Sequence, residues 1–203
     1  MMKALIIIDL QNDFVPGGTL AVPEGDKIVT VINDLQEKFE LIIATQDWHP
    51  KDHSSFAANH PGRKEFEKTK INGLEQVLWP VHCVQETGGA EFHPDLKMSE
   101  IEAIFRKGTN PVIDSYSGFY DNANLKSTGL SGYLKEKGVT DLWFCGLAAE
   151  YCVYYSIIDA LAEGFNATLI EDATRALNSA EFEIAKQNIL AKGGRIVTSE
   201  AIN

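Results

Sequence analysis

Apolar residues in this chain come as short unbroken runs alternating with stretches of helical periodicity. Ala4-Leu5-Ile6-Ile7-Ile8 and Leu41-Ile42-Ile43-Ala44 are compact and rich in branched side chains, as in strands buried on both faces. Six strands are expected on this pattern: residues 3–9, Leu41–Thr45, Glu102–Arg106, Thr140–Cys145, Ala167–Glu171 and Arg195–Thr198. Between them, Ile28, Val31, Ile32, Leu35 and Phe39 share one helical face behind the start signals Pro23 and Asp26. A second helix is expected over roughly Leu125–Lys137, closed by Gly138. A third carries Val153, Ile157 and Leu161 at four-residue spacing and stops at Gly164. The last places Phe182, Ala185 and Ile189 inward, with Asn178 as N-cap and Glu181 three residues on.

Strands alternating with helices predict β-α-β units. The expected fold is α/β: one domain over 1–203, a mostly parallel six-stranded sheet with helices on both faces. The stretch from Trp48 to about Glu100 has little periodicity. Structureless stretches that long are usually functional inside a compact domain, and all five histidines (His49, His53, His60, His82, His93) fall in it. With its flanks, at about 46–122, it reads as a loop-rich metal and substrate segment.

Composition narrows the partners. A chain of 203 residues with 44% hydrophobic content can bury one substantial core. Its net charge of −11 argues against nucleic acid and anionic membranes, both of which need basic patches. The apolar run after Lys3 ends at Asp9, too short for a signal or a membrane span, which predicts a cytoplasmic protein. Three cysteines (Cys83, Cys145, Cys152) with no C-x-x-C pair predict reduced thiols rather than a disulfide scaffold. Homo-oligomerisation stays open.

The reactive residues sit where the apolar runs stop. Asp9 ends the first run, Asp47 and His49 follow the second, Lys107 follows Ile104-Phe105, and Cys152 lies just past Leu142-Trp143-Phe144-Cys145-Gly146. Open parallel sheets bind ligands outside the carboxyl ends of their strands. Asp47-x-His49 projects a carboxylate and an imidazole to one side of extended chain, a donor pair suited to Zn, Fe or Mn. His82 is the best third ligand, and three protein ligands suffice for a catalytic metal. His53 stands open as a fourth ligand or a neighbour of the ligands. The competing reading is a turn with a solvated Asp and a surface His.

Cys152 falls in the first turn of its helix, where the N-terminus favours a thiolate and backbone N–H groups can receive an oxyanion. A small packed hydrophobe is the competing reading, and the better one for Cys145. Asp9, whose burial raises its pKa, is the candidate base, and Lys107 the cation that pairs with it and favours the thiolate. These two could equally be a structural ion pair. No G-x-G-x-x-G, G-x-x-x-x-G-K-[ST], H-E-x-x-H or G-x-S-x-G occurs. A metal-stapled binding domain with an inert thiol, a redox-sensing thiol protein and an amidase for another small amide are the rival functions.

In chain order, Leu5-Ile6-Ile7-Ile8-Asp9-Leu10-Gln11-Asn12-Asp13-Phe14, Gln46-Asp47-Trp48-His49-Pro50, Trp79-Pro80-Val81-His82-Cys83-Val84, Phe105-Arg106-Lys107-Gly108 and Cys145-Gly146-Leu147-Ala148 through Tyr151-Cys152-Val153 resemble the nicotinamidases, within the isochorismatase-like cysteine hydrolases. The resemblance implies that fold, and hydrolysis of nicotinamide to nicotinic acid and ammonia in NAD salvage through a Cys152 thioester. It implies Asp9, Lys107 and Cys152 as catalytic residues and the Ala148 and Cys152 N–H groups as oxyanion hole. Phe14, Trp79 and Tyr116 become the ring pocket and Asp47, His49 and His82 the ligands of one divalent metal, Zn before Fe or Mn, which orients the pyridine nitrogen. It also implies a cis Leu147–Ala148 peptide. Where the family often has Thr-Asp, this chain has Ala149-Glu150, which changes the groups able to bond that loop.

Overall fold

The computed structural model describes residues 2–202. Its strands, in chain order, are β1 (Met2–Ile8), β2 (Leu41–Asp47), β3 (Lys68–Ile71), β4 (Leu74–Val77), β5 (Ile101–Lys107), β6 (Val139–Gly146), β7 (Asn166–Thr174) and β8 (Arg195–Val197). Six of them form one sheet in the order β5-β2-β1-β6-β7-β8. Every neighbouring pair in it is parallel. All carboxyl ends therefore lie along one edge.

The unbroken apolar runs follow from double-sided burial. Leu5, Ile7, Ile42 and Ala44 face a layer holding Ile28, Ile32 and Leu35 of helix α1 (Ile28–Gln36). Ala4, Ile6, Ile8, Leu41 and Ile43 face the opposite layer. That layer is built from α2 (Leu130–Glu136), α3 (Tyr154–Ala162) and α4 (Ser179–Ala191), through Leu130, Leu134, Ile157, Ala160 and Ile189. Each fully buried Leu or Ile contributes about 1.5–3 kcal/mol, so neither parity of β1 tolerates a polar residue. The Asn178 side chain accepts the Ala180 and Glu181 N–H groups and caps α4 as expected. On α1, Val29 is buried where the pattern put Val31, which is only partly covered.

Two elements differ from expectation. The helix placed at Leu125–Lys137 begins only at Leu130. The Asp121 carboxylate accepts the Ala123 and Leu125 N–H groups, and Tyr120 bridges to Ser127. These bonds hold 121–128 as a loop, because a side chain that satisfies local N–H groups competes with the helix. Inside the aperiodic stretch, β3 and β4 pair antiparallel as a two-stranded sheet. Asn72 (φ 52°) and Gly73 (φ 82°) join them, both in the left-handed region that a two-residue hairpin turn requires.

From β1 the chain builds outward to β2 and β5, then returns to the other side of β1 to start β6. The crossing point lies between β1 and β6, where open sheets of this kind leave a crevice. Among the described residues no helix is long and apolar enough to cross a membrane.

Candidate active site

Four strand ends deliver the reactive groups. Asp9 is the first residue past β1 and turns there with φ 44°. Asp47 and Lys107 end β2 and β5 and are partners in register. Cys152 lies in a wide turn, Ala149–Val153, closed by the Val153 N–H to Ala148 O bond at 3.2 Å, just before α3. Turns of this width are frequent at functional sites. Asp9, Asp47, Lys107 and Cys152 are all buried.

The Lys107 ammonium is the hub. Its Nζ lies 2.9 Å from Asp9 Oδ2, 3.0 Å from Asp47 Oδ1, 3.0 Å from the Ser115 carbonyl and 3.4 Å from Cys152 Sγ. Thr45 Oγ1 donates to Asp9 Oδ1 at 2.7 Å. Asp9 Oδ2, although close to Nζ, receives no well-angled hydrogen bond and keeps a lone pair free for a proton. Burial raises the Asp9 pKa above its ordinary value; Lys107 works against the rise and the Asp47 charge adds to it. Burial likewise holds Cys152 well above the usual thiol range, with Lys107 opposing. The expected lowering at the helix start is therefore outweighed by desolvation. The resting group is a thiol, and attack needs a base.

On the other side of Asp47 stand two imidazoles. His49 Nε2 is 2.9 Å and His82 Nε2 3.4 Å from Asp47 Oδ2. His49 Nδ1 is 2.9 Å from Gly108 O, and His82 Nδ1 is 2.7 Å from Pro80 O. A carbonyl only accepts, so each Nδ1 carries a proton, and each Nε2 is turned towards the Asp47 carboxylate. Two imidazole nitrogens and a carboxylate oxygen converge, all buried and within 4.8 Å of one another. Backbone carbonyls that fix the tautomers of ligating histidines are the usual outer shell of a metal centre, so these residues fit a divalent transition metal. Gly108 has φ 64°, and a side chain there would collide with the His49 ring. His53 groups instead with His49 and Asp114. Its ring centroid is 4.2 Å from that of His49, and its Nδ1 is 2.7 Å from Ser55 Oγ. His60 and His93 lie outside both clusters.

A small cavity opens onto Asp47, Lys107, His82 and Cys152, lined also by Phe14, Trp79, Tyr116 and Ala148 among others. The three aromatics expected around a ring are thus together. Leu20, Asp114, Ser115, Tyr151 and Leu177 also line the cavity and were not expected. Tyr151 packs edge-on to Trp79 at 4.8 Å and to Tyr116 at 5.5 Å. Only its place next to Cys152 signals it in the sequence; for Leu20 and Leu177 no signal exists. The Leu147–Ala148 peptide is cis. The Ala149 N–H donates to Arg175 O, and the Ala148 N–H has no backbone acceptor among the described residues. Glu150, the departure from the family pattern, accepts the Leu177 and Asn178 N–H groups and so ties the Cys152 turn to the start of α4. Cys145 is fully buried in β6, with Sγ against Ile6 O, as a structural thiol.

Residues 3–201 match the family model described as the isochorismatase domain. A nicotinamidase of Acinetobacter baylyi is 44% identical over 200 residues, covering 98% of this chain and 94% of the relative. The solved structure of a nicotinamidase/pyrazinamidase from Acinetobacter baumanii superposes with a TM-score of 0.97 at 44% identity, over 99% of this chain and 98% of that one. A Pyrococcus horikoshii pyrazinamidase solved in complex with zinc superposes with a TM-score of 0.80 at 39% identity, over 98% and 99%.

Proposed function

The chain belongs to the isochorismatase-domain family, and from that premise we propose that it hydrolyses nicotinamide to nicotinic acid and ammonia, in NAD salvage, through a thioester on Cys152. The observation that carries the reading is an aromatic-walled cavity lined by Lys107, Cys152, Asp47 and His82, with Asp9 against Lys107 and His49 against Asp47.

The chemistry follows from the resting protonation states. Asp9 Oδ2 takes the Cys152 proton, and Lys107 offsets the charge that moves onto sulfur. The sulfur attacks the carboxamide carbon, and the Ala148 and Cys152 N–H groups receive the oxyanion. Asp9 returns the proton to the amine, the C–N bond breaks, and ammonia leaves a thioester behind. Water, deprotonated by Asp9, then breaks the C–S bond, releasing the acid and regenerating the thiol. Phe14, Trp79 and Tyr116 hold the ring by stacking and edge contacts. A divalent transition metal, zinc first among candidates, would be held by Asp47, His49 and His82 and would supply a Lewis-acid contact to the pyridine nitrogen.

Ammonia release from nicotinamide, compared with a panel of aliphatic amides, tests the reading, with metal analysis of the same preparation. Turnover of nicotinamide far above the panel is expected. Preference for an aliphatic amide would assign the triad to another small substrate.

A further inference from the structure

The segment after the base does work that the mechanism leaves unassigned. Gln11 is fully buried and uses its side-chain amide completely on the donor side. Its Oε1 accepts the Asp47 N–H at 2.8 Å, while its Nε2 donates to Asp47 O at 2.8 Å and to Ala90 O at 2.8 Å. Both backbone groups of one residue are thus bonded by one side chain, the pattern an antiparallel neighbour would make. On its other flank, the end of β2 is held by β5, with the Trp48 N–H on Lys107 O at 3.0 Å.

Two residues later, the Asp13 carboxylate accepts the Cys83 N–H at 2.7 Å, directly beside His82. Gly89 leaves room for that carboxylate, since a side chain there would overlap it. The His82 segment is in turn laced to the His49 segment: His49 N–H donates to Cys83 O and Gln85 N–H to His49 O, each at 2.9 Å. Gln11 and Asp13 therefore grip the two chain segments that carry Asp47 and His82, and neither touches the cluster itself.

We propose that Gln11 and Asp13 are positioning residues for the metal centre, the mount that fixes where the Asp47 carboxylate and the His82 imidazole point. This rests on reading Asp47, His49 and His82 as metal ligands. Outer-shell partners of metal ligands change affinity by about 10–100-fold when removed. Gln11→Met keeps the shape and deletes three hydrogen bonds. Asp13→Ala deletes the acceptor, whereas Asp13→Asn keeps an oxygen for the Cys83 N–H.

The test is zinc affinity by competition with a chromogenic chelator, together with the visible absorption spectrum of the cobalt-loaded protein. Asn178→Ala, which uncaps α4 and touches neither the proposed ligands nor Gln11 and Asp13, controls for general loss of stability. Weakening on the order of 10-fold or more, with a changed cobalt spectrum, is expected for Gln11→Met and Asp13→Ala. Asp13→Asn should recover most of the affinity, and Asn178→Ala should match the unaltered protein. If the unaltered protein binds zinc but both deletions keep its affinity and its cobalt spectrum, the mount is overturned. If the unaltered protein binds neither metal, the reading of the ligand set itself falls.

Discussion

Lys107 faces two buried carboxylates with one ammonium. Buried charge is costly where it is poorly matched, so the carboxylate with fewer opposing charges around it is the stronger base. That group is Asp9, pushed up by burial, while the imidazoles and Lys107 outweigh the same burial at Asp47 and hold it well below the usual carboxylate range. Asp9→Asn matches the carboxylate in shape but cannot take the proton. Iodoacetamide labelling of Cys152 at neutral pH should slow markedly in this variant, and equal rates would remove Asp9 from the base role. Cys152→Ala should abolish turnover and cost roughly 1–2 kcal/mol of stability, since only a sulfur is lost from a packed site. Cys145→Ala should do the converse, losing stability and keeping turnover; urea unfolding and ammonia release on both variants separate the two thiols. The placement of Asp9, Lys107 and Cys152 was legible because apolar runs stop where strands stop. Which effect governs the thiol was not, since burial in the assembled site outweighs the local helix start.

The elements show the same division. Strands buried on both faces announce themselves as unbroken apolar runs, so β1 and β2 could be read directly, while edge strands such as β5 and β8 are only partly buried and were read from their place between helices. The β3–β4 hairpin could also have been read, from Asn72-Gly73 between short segments with few apolar positions. Its mixed composition hid it, because only Gln76 is buried in either strand. That Gln76 Nε2 donates to Asp114 Oδ2 at 2.8 Å and to Tyr116 Oη at 3.2 Å, which makes a peripheral hairpin a support of the cavity wall. The true start of α2 was hidden because an Asp side chain, not the periodicity, decides it. Packing of α2 against α3 has its own electrostatic clamp. Glu163, just past α3, accepts from Lys135 and Ser131 of α2 and from Tyr120. Lys135, Tyr120 and Ser131 together lower its pKa from 4.5 to about 2. A carboxyl depressed on folding stabilises the fold above its unfolded value, and that stabilisation is lost as pH falls towards the folded value. The melting-temperature gap between the unaltered protein and Glu163→Gln should hold steady above about pH 5 and shrink as pH falls towards 2. A gap independent of pH would place the clamp's value in packing alone.

At the scale of the whole molecule, the proposed metal ligands and the thiol come from segments that meet because the sheet is parallel and folds back at β1. Chelation, or His49→Ala, should therefore abolish nicotinamide hydrolysis while leaving the sheet folded. Benzamide, which lacks the ring nitrogen, should still enter against Phe14 and Trp79 but turn over far more slowly in the metal-loaded protein. Comparable kcat/KM for both amides would mean that the metal does not read the nitrogen. The family resemblance gave the substrate class at once, whereas composition and spacing alone left several amides open; part of the cavity's shape comes from Leu20 and Leu177, which no motif marks.

One carboxylate joins the two halves of the site. Asp47 presents Oδ1 to the ammonium beside the thiol and Oδ2 to the imidazoles. On the proposed reading, in which a metal held at Oδ2 would contact the ring nitrogen while the thiol beside Lys107 attacks the amide, one rigid carboxylate links the two groups that meet the substrate. The site would then act as a caliper that gauges its substrate. Among pyridine carboxamides of equal size, one substitution pattern would match the distance between the two groups and the others would miss it at one of them. Nicotinamide should accordingly outrun picolinamide and isonicotinamide in kcat/KM, and similar values for all three isomers would show that the gauge is not rigid.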